Sequence, residues 1–493
     1  MKYYIGADLG TSSLKLLLCD REGNIYASAT ESYPVSYPHP SWSEQDPEDW
    51  WDAFVRGVGR LITGISPRDI GGIAVAGQMH GLVALDSDDR VTRPAILWND
   101  GRTYRETEYL NRVIGEERLV ALTSNIAFAG FTAPKLLWMK NNERDNFDRI
   151  QKIMLPKDYI NYRLTGVHAC DFSDASGMLL LDVKNKCWSS EMLEICGVDQ
   201  SKMPRLFESY EKIGELLPCV ARELGLPAGI CVGAGAGDNA GAAIGTATVG
   251  DMSCNISLGT SGTVFISRKD FTETENPALH SFCHADGGYH FLGCILSAAS
   301  CNKWFCDEIL GVDDYGLLQA DITEDMLGNN SVYFLPYLMG ERSPINDTDA
   351  SGTFVGLRPG TSRAQMVQAV LEGVSFAVRD NLELAKKMGI DISQSTVCGG
   401  GAKSRLWLNI LANVLNIRLC LPVSEEGPAL GAAMLAAVAA GEHTSVGACA
   451  RREIKETIEP DAAIAARYEK QYERFKKIYP RMKELFKEIK IEE

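Results

Sequence analysis

The sequence predicts an α/β protein built of two halves. Its 493 residues suffice for two or more domains. Short apolar runs of strand length alternate with amphipathic helical stretches throughout. A strand, a Gly-Thr-Ser turn and a second strand occur twice, near residue 10 and again near residue 260. The wide separation of the copies points to an internal duplication. Division into halves 1–246 and 247–493 would place a small-molecule site in the cleft between them.

The apolar run 3–9 ends in Asp8-Leu-Gly-Thr-Ser-Ser, resumes at 14–19, turns at Asp20-Arg-Glu-Gly-Asn24 and continues at 25–32. This is a β-meander whose first turn carries the Gly-Thr-Ser cluster. A helix is expected from Asp46, which can cap it. Pro47 suits the first helical position, Glu48 and Asp49 suit the positive dipole end, and Trp51, Phe54, Val55, Val58 and Leu61 share one face. Strands are expected at 73–76, before Gly77-Gln-Met-His-Gly81, then at 82–86, and at 95–98, before Asn99-Asp-Gly-Arg102.

Further on, 230–235 reads as a Gly-rich strand entering Ala236-Gly-Asp-Asn-Ala-Gly241, and strands at 255–258 and 263–266 flank Gly259-Thr-Ser-Gly262. Ser362 and Gln365 form a capping box at the head of a helix reaching 388. A strand at 396–398 runs into Gly399-Gly-Gly-Ala-Lys403 and a helix to Leu415. The Ala-rich run 429–440 is too short to cross a bilayer and reads as a buried helix. In the tail, Tyr472, Phe475, Tyr479, Met482, Phe486 and Ile489 keep helical spacing, and Pro480 is expected to kink that helix.

Composition excludes some functions. A formal net charge of -16 argues against nucleic acid as the main partner and against an anionic membrane surface. Nucleotides remain compatible, because backbone N–H groups and Mg2+ can supply the positive potential. The 14 cysteines are scattered without a CxxC pair, which argues against a disulfide scaffold and structural zinc. Cys231, Cys254 and Cys398 read as reduced, buried small hydrophobes. The opening MKYYIGADLG lacks an apolar signal segment, so a cytoplasmic location is expected.

The chemistry-bearing motifs follow from the turns. A Gly-rich turn gathers backbone N–H groups, and Thr and Ser hydroxyls add donors, which together make a phosphate cradle. Asp8, just before the first turn, suits Mg2+ held through water. Gly399-Gly-Gly-Ala402 lets a flat base or ribose approach the backbone; it is neither GxGxxG nor a P-loop. Asp238 follows a flexible Gly-Ala-Gly and can project into a cleft, where phosphoryl transfer needs a group to orient and deprotonate an acceptor hydroxyl. The competing reading is a helix cap. Gln78-Met79-His80 and Trp98 combine polar and apolar surfaces as sugar recognition requires; a buried histidine and an Asp100–Arg102 ion pair are the structural alternatives. His280 and His284 read as core histidines rather than metal ligands.

Taken in order, GADLGTSSLK (6–15), SWSEQDPEDWW (41–51), AGQMHG (76–81), AILWNDGR (95–102), GFTAPKLLW (130–138), LPKDYINYRLTG (155–166), GAGDNAGAAIG (235–245), SLGTSG (257–262), LPYLMGERSP (335–344), CGGGAKS (398–404) and EGPALGAA (426–433) resemble the FGGY carbohydrate kinases. Within that family the likeness is strongest to the kinases acting on xylulose. The resemblance implies two actin-like ATPase (ribonuclease-H-like) domains with the active site in the cleft between them. It implies ATP-dependent phosphorylation of D-xylulose with Mg2+.

By the same resemblance Asp238 is the general base and Asp8 the acidic residue near Mg2+. Met79, His80 and Asn239 would face the sugar, beside Asp238 and the Gln78 and Trp98 read from residue type above; Thr11, Ser12, Lys15, Thr260, Gly400 and Gly401 would bind ATP. Glycerol kinases of the family carry an Arg-Glu pair where Met79-His80 stands here. Asp238-Asn-Ala-Gly-Ala and Met178 depart from the usual pattern and leave ribulose, other ketoses or polyols open. Asp8 and Asp238 speak against a non-catalytic sugar or ATP sensor, and the Gln78–His80 trio against a chaperone-type ATPase. Homodimers are frequent in such families, but no residue here marks an interface.

Overall fold

The computed structural model describes residues 2–274, 276–423, 426–450 and 453–489. In the first half, β1 (Tyr3–Leu9), β2 (Ser13–Asp20) and β3 (Ile25–Ser32) form the expected meander. β4 (Ile70–Gly77) lies parallel to β1 on its other side. Next come β5 (Lys212–Glu215), β6 (Cys231–Gly233) and β7 (Ala236–Gly237), giving the order β5-β6-β4-β1-β2-β3 with β7 beside the end of β4. β1 and β4 are sandwiched on both faces, which is why they read as nearly continuous apolar runs.

The second half repeats this plan. β8 (Cys254–Leu258) and β9 (Gly262–Arg268) form an antiparallel hairpin. β10 (His280–Cys283), β11 (Tyr289–Ile295), β12 (Gln394–Cys398), β13 (Arg418–Pro422) and β14 (Ile454–Ile458) complete the order β10-β11-β9-β8-β12-β13-β14. In each sheet the first strand pairs antiparallel with its hairpin partner and parallel with a much later strand.

The helices start where the sequence marks them. Asp46 caps α1 (Pro47–Leu61) by accepting from the Glu48 N–H at 3.0 Å. Then follow α2 (Thr132–Asn142), α3 (Pro156–Thr165) and α4 (Asp238–Gly245). The Ser362/Gln365 capping box opens α5 (Arg363–Lys387), and α6 (Arg405–Leu415) follows the Gly399–Lys403 segment. α7 (Pro428–Ala439) is buried along its length, as its alanines predict.

Although α7 belongs to the second half by sequence, it packs on β1, β4 and α4. The contact is backbone-close: a Cβ on Gly6 would stand 2.0 Å from the Ala429 carbonyl oxygen, and one on Gly431 would stand 1.9 Å from that of Gly241. The tail forms α8 (Ala462–Phe475) and α9 (Ile478–Glu488). Here the expected kink at Pro480 is corrected. The helix breaks before the proline, and Pro480 sits in the first turn of α9, where a missing N–H leaves no hydrogen bond unmade.

None of the 14 cysteines forms a disulfide, but Cys231 and Cys398 are partly exposed rather than buried. No described helix is long and apolar enough to cross a membrane. His280 and His284 are core residues, and the described residues hold no cluster of three or more side chains suited to a metal ion.

Candidate active site

Parallel pairing brings the ends of β1, β4 and β7 to one edge. Asp8 lies opposite Ala76, and Ala76 opposite Ala236. Beyond these ends the chain continues as Gly10–Ser12, as Gln78–His80 and as Asp238–Asn239. Open α/β sheets bind ligands at the carboxyl ends of their strands for this reason: the loops and helix starts converge there.

Asp238 is the first residue of α4. Its Oδ1 accepts from the Asn239 N–H at 2.7 Å and from the Asn239 side-chain amide at 2.9 Å. Burial pushes the Asp238 pKa up to about 6, opposed by the Asn239 hydrogen bonds. Asp8 is pushed up to about 7, first by burial and then by the negative charge of Asp238; Lys15 pulls the other way and Glu426 adds to the rise. Lys15 pairs with Glu426, so the start of α7 is tied to β2 beside these carboxylates.

The first Gly-Thr-Ser turn is braced from outside. The Tyr33 hydroxyl donates to the Gly10 carbonyl at 2.5 Å, Gln45 Nε2 to the Thr11 carbonyl at 2.7 Å, and Trp98 Nε1 to Thr11 Oγ1 at 2.9 Å. Ser12 accepts from the Tyr33 N–H through its carbonyl. Gln78 belongs to this brace: Nε2 donates to Gln45 Oε1 at 3.1 Å, and the side chain is buried with Oε1 unpartnered. Trp98 is 45% exposed, so one ring face remains available.

Met79 packs against Gly237, where a Cβ would meet its Cγ at 3.0 Å. His80 stands at φ 69°, a conformation that favours glycine. Its carbonyl is held by Thr132 Oγ1 at 3.0 Å and by the buried Lys135 Nζ at 2.8 Å. His80 Nδ1 lies 2.7 Å from the Gly177 carbonyl. A carbonyl only accepts, so Nδ1 carries the proton and Nε2 is an acceptor. Burial, with Lys135 adding, pushes the His80 pKa down to about 3, so the ring is neutral. His80 stacks on Phe131 at 4.6 Å.

The nucleotide-sized space lies against the second sheet. A cavity of ≈ 670 Å³ is walled by Gly259, Thr260, Tyr315, Gly400, Gly401 and Trp407. A second, of ≈ 420 Å³, shares Gly259 and reaches Ser261, Gly427 and Asn239. Together they run from the Gly400–Gly401 backbone to the neighbour of Asp238. A Cβ on Gly400 would meet nothing, whereas one on Gly401 would crowd Leu258 at 2.8 Å. Thr260 holds its turn by accepting from Ser300 Oγ at 2.7 Å.

The structure thus gathers Asp8, Lys15, Met79, His80, Asp238 and Asn239 at one edge, and Thr260, Gly400 and Gly401 round the nucleotide-sized cavity. Thr11, Ser12, Gln78 and Trp98 form the braced turn. Asp100 and Arg102 take the structural alternative: a buried pair, 2.6 Å apart, joined by Glu44. Sequence reasoning assigned nothing to Arg342, although it lies in the quoted LPYLMGERSP segment. Arg342 covers Phe128 at 4.9 Å, bonds the Cys294 thiol, and its charge reaches His80. It also missed the cluster of Lys157, Asp158, Asp171 and Asp174 behind Asp238. A charged residue's burial is set by distant chain segments, so no local signal marks it.

Residues 3–245 match the N-terminal domain, and residues 254–440 the C-terminal domain, of the FGGY family of carbohydrate kinases. The chain is 41% identical to the xylulose kinase of Escherichia coli (strain K12), over 97% of this chain and 98% of that protein. It is 35% identical to the xylulose kinase of Bacillus subtilis (strain 168), over 98% of both. A solved xylulose kinase from Brucella ovis superposes with a TM-score of 0.94 at 42% identity, covering 98% of this chain and 100% of that one. The ligand-bound xylulose kinase of Lactobacillus acidophilus gives 0.94 at 25% identity, with 99% and 100% covered. Two sheets of one design, a nucleotide-sized cleft and paired carboxylates at converging strand ends match this kinship: the chain belongs to the FGGY family of carbohydrate kinases and is an ATP-dependent sugar kinase of the two-domain actin-like fold.

Proposed function

We propose that the chain transfers the γ-phosphoryl group of ATP to O5 of D-xylulose, with Asp238 as the general base. The observation that carries this reading is the placement of Asp238. Its Oδ1 is fixed by Asn239, which itself lines the cavity beside Gly259, and Asp238 follows Gly237, which packs on Met79. The many xylulose kinases among its relatives support the choice of sugar.

In this reading the adenosine lies against Gly400 and Gly401, and the N–H groups of the two Gly-Thr-Ser turns, with Lys15, hold the phosphates. The neutral His80 accepts a sugar hydroxyl at Nε2, while Met79 and Trp98 meet the C–H surface. Asp238 Oδ2 orients the O5 hydroxyl. As the O5–P bond forms, the bond from the γ-phosphorus to the bridging oxygen breaks and ADP leaves. The O5 proton passes to Asp238, which then releases it to solvent. A loose transition state needs little proton transfer before bond breaking, so orientation matters more than basicity.

Asp8 feels the negative charge of Asp238, relieved only partly by Lys15. Two such carboxylates fit Mg2+, which takes one or two carboxylates and keeps much of its water. Asp8 would hold the ion through water, and the ion would neutralise the charge on the transferring phosphates.

Kinetics with His80→Asn tests the sugar side; Asn tolerates positive φ. KM for D-xylulose should rise about 10-fold or more, as loss of a buried hydrogen bond to substrate implies, while KM for ATP holds. An unchanged KM for the sugar would remove His80 from the pocket.

A further inference from the structure

Directly behind Asp238 lies a buried ionic cluster. Lys157 Nζ stands 2.6 Å from Asp158 Oδ1, 2.8 Å from Asp171 Oδ1 and 3.7 Å from Asp174 Oδ2. All four side chains are 1% exposed or less. Burial alone would push Lys157 down, but Asp158 and Asp171 hold it well above its ordinary value. Asp174 is pushed well up by burial, and the charge of Asp238 adds to the rise.

Asp171 is the hub. Its Oδ2 accepts from the Ser173 N–H at 2.9 Å, from Ser173 Oγ at 2.5 Å and from Ser209 Oγ at 2.7 Å. The Ser173 hydroxyl donates its hydrogen bond to Asp171, so its oxygen is free to accept another. It takes the Gly237 N–H at 3.1 Å. Gly237 is the N-cap of α4 and immediately precedes Asp238. Its other side is crowded by Met79, with a would-be Cβ 3.0 Å from two of its side-chain atoms. Gly237 is thus held between the proposed sugar contact and this hydroxyl.

We propose that Ser173 is a positioning residue for Asp238: its hydroxyl, locked by Asp171 and through it by Lys157, anchors the Gly237 N–H and sets the backbone from which the carboxylate projects. The inference rests on Asp238 as the base. Lys157 makes the buried Asp171 tolerable, since an unpaired buried carboxylate is costly. The chain Lys157–Asp171–Ser173–Gly237 then passes the rigidity of the core to the reacting group. Placement matters because an error of about 1 Å can cost about 100-fold in rate.

Ser209 supplies the control. Its hydroxyl bonds the same Asp171 oxygen and is equally buried, yet the Gly237 N–H donates to Ser173 and not to it. The experiment measures kcat, KM for ATP and D-xylulose, and thermal unfolding of the full chain carrying Ser173→Ala, Ser209→Ala or Asp238→Ala. Ser173→Ala should lower kcat about 10-fold or more and leave KM for ATP within about two-fold. Ser209→Ala should lower Tm by a similar amount but hold kcat within about two-fold of wild type. Ser173→Cys keeps the shape and offers only a weak acceptor, so it carries the same kcat expectation if the alanine variant does not fold. Wild-type kcat in the Ser173 variants, with Asp238→Ala inactive, overturns the positioning role alone. Equal kcat losses at Ser173 and Ser209 also overturn it. Wild-type turnover by Asp238→Ala overturns the base reading instead.

Discussion

At Asp238, burial and hydrogen bonding compete. Burial raises the carboxyl to about 6, and the two Asn239 donors restrain the rise. The base proposed for the reaction must be ionised, so on that proposal activity belongs to the pH range above this value and is lost as pH falls through it. The acid limb of kcat/KM for the sugar should therefore lie at about 6, falling tenfold per unit below. A pH–rate profile flat to pH 5 would contradict this. The role proposed for Asp238 is only partly legible in the sequence. Its position after Gly-Ala-Gly allowed both a base and a helix cap. The structure places it at the first position of α4, and Gly237 takes the capping position. Gln78 shows another limit: its residue type suits a sugar, while contacts with Gln45 and Gly10 occupy its amide nitrogen and leave Oε1 unpartnered.

At the scale of elements, local signals were strong where local physics decides. The caps at Asp46 and Ser362, the hairpins on either side of each Gly-Thr-Ser turn and the buried Ala-rich helix all follow from neighbouring residues. The partner of α7 did not. Its alanines announce burial, but only the tertiary structure places it on β1 and α4, through Gly6, Gly241 and Gly431. These glycines serve close approach, so a methyl group there must push backbone apart. Gly431→Ala should destabilise the protein by about 1–3 kcal/mol, the usual cost of overpacking. Thermal unfolding checks this; an unchanged Tm would mean that α7 does not pack so closely. The Pro480 misreading has a similar origin: periodicity continued across 476–477, while the helix did not.

Across the whole molecule, the two halves share packing. Besides α7, Phe282 of β10 joins the hydrophobic cluster that contains Met79 and Phe131. We propose the division of the chain at 246/247, yet a fragment 1–246 would expose Tyr4, Leu17, Ala74 and Ala236, which α7 covers. Such a fragment should lack a cooperative unfolding transition; a sharp one would show that the first half does not need α7.

The central claim joins these scales: one carboxylate, set by a helix start and facing a cleft between two sheets, couples ATP consumption to a sugar hydroxyl. The most direct test is ADP release by the full chain with ATP, Mg2+ and D-xylulose, with and without Asp238→Ala, against a control lacking sugar. The account predicts sugar-dependent release by the wild type and a fall of about 10^2–10^4 in kcat on Asp238→Ala, the usual scale of general-base loss. Sugar-independent release, or near wild-type turnover by Asp238→Ala, would contradict it.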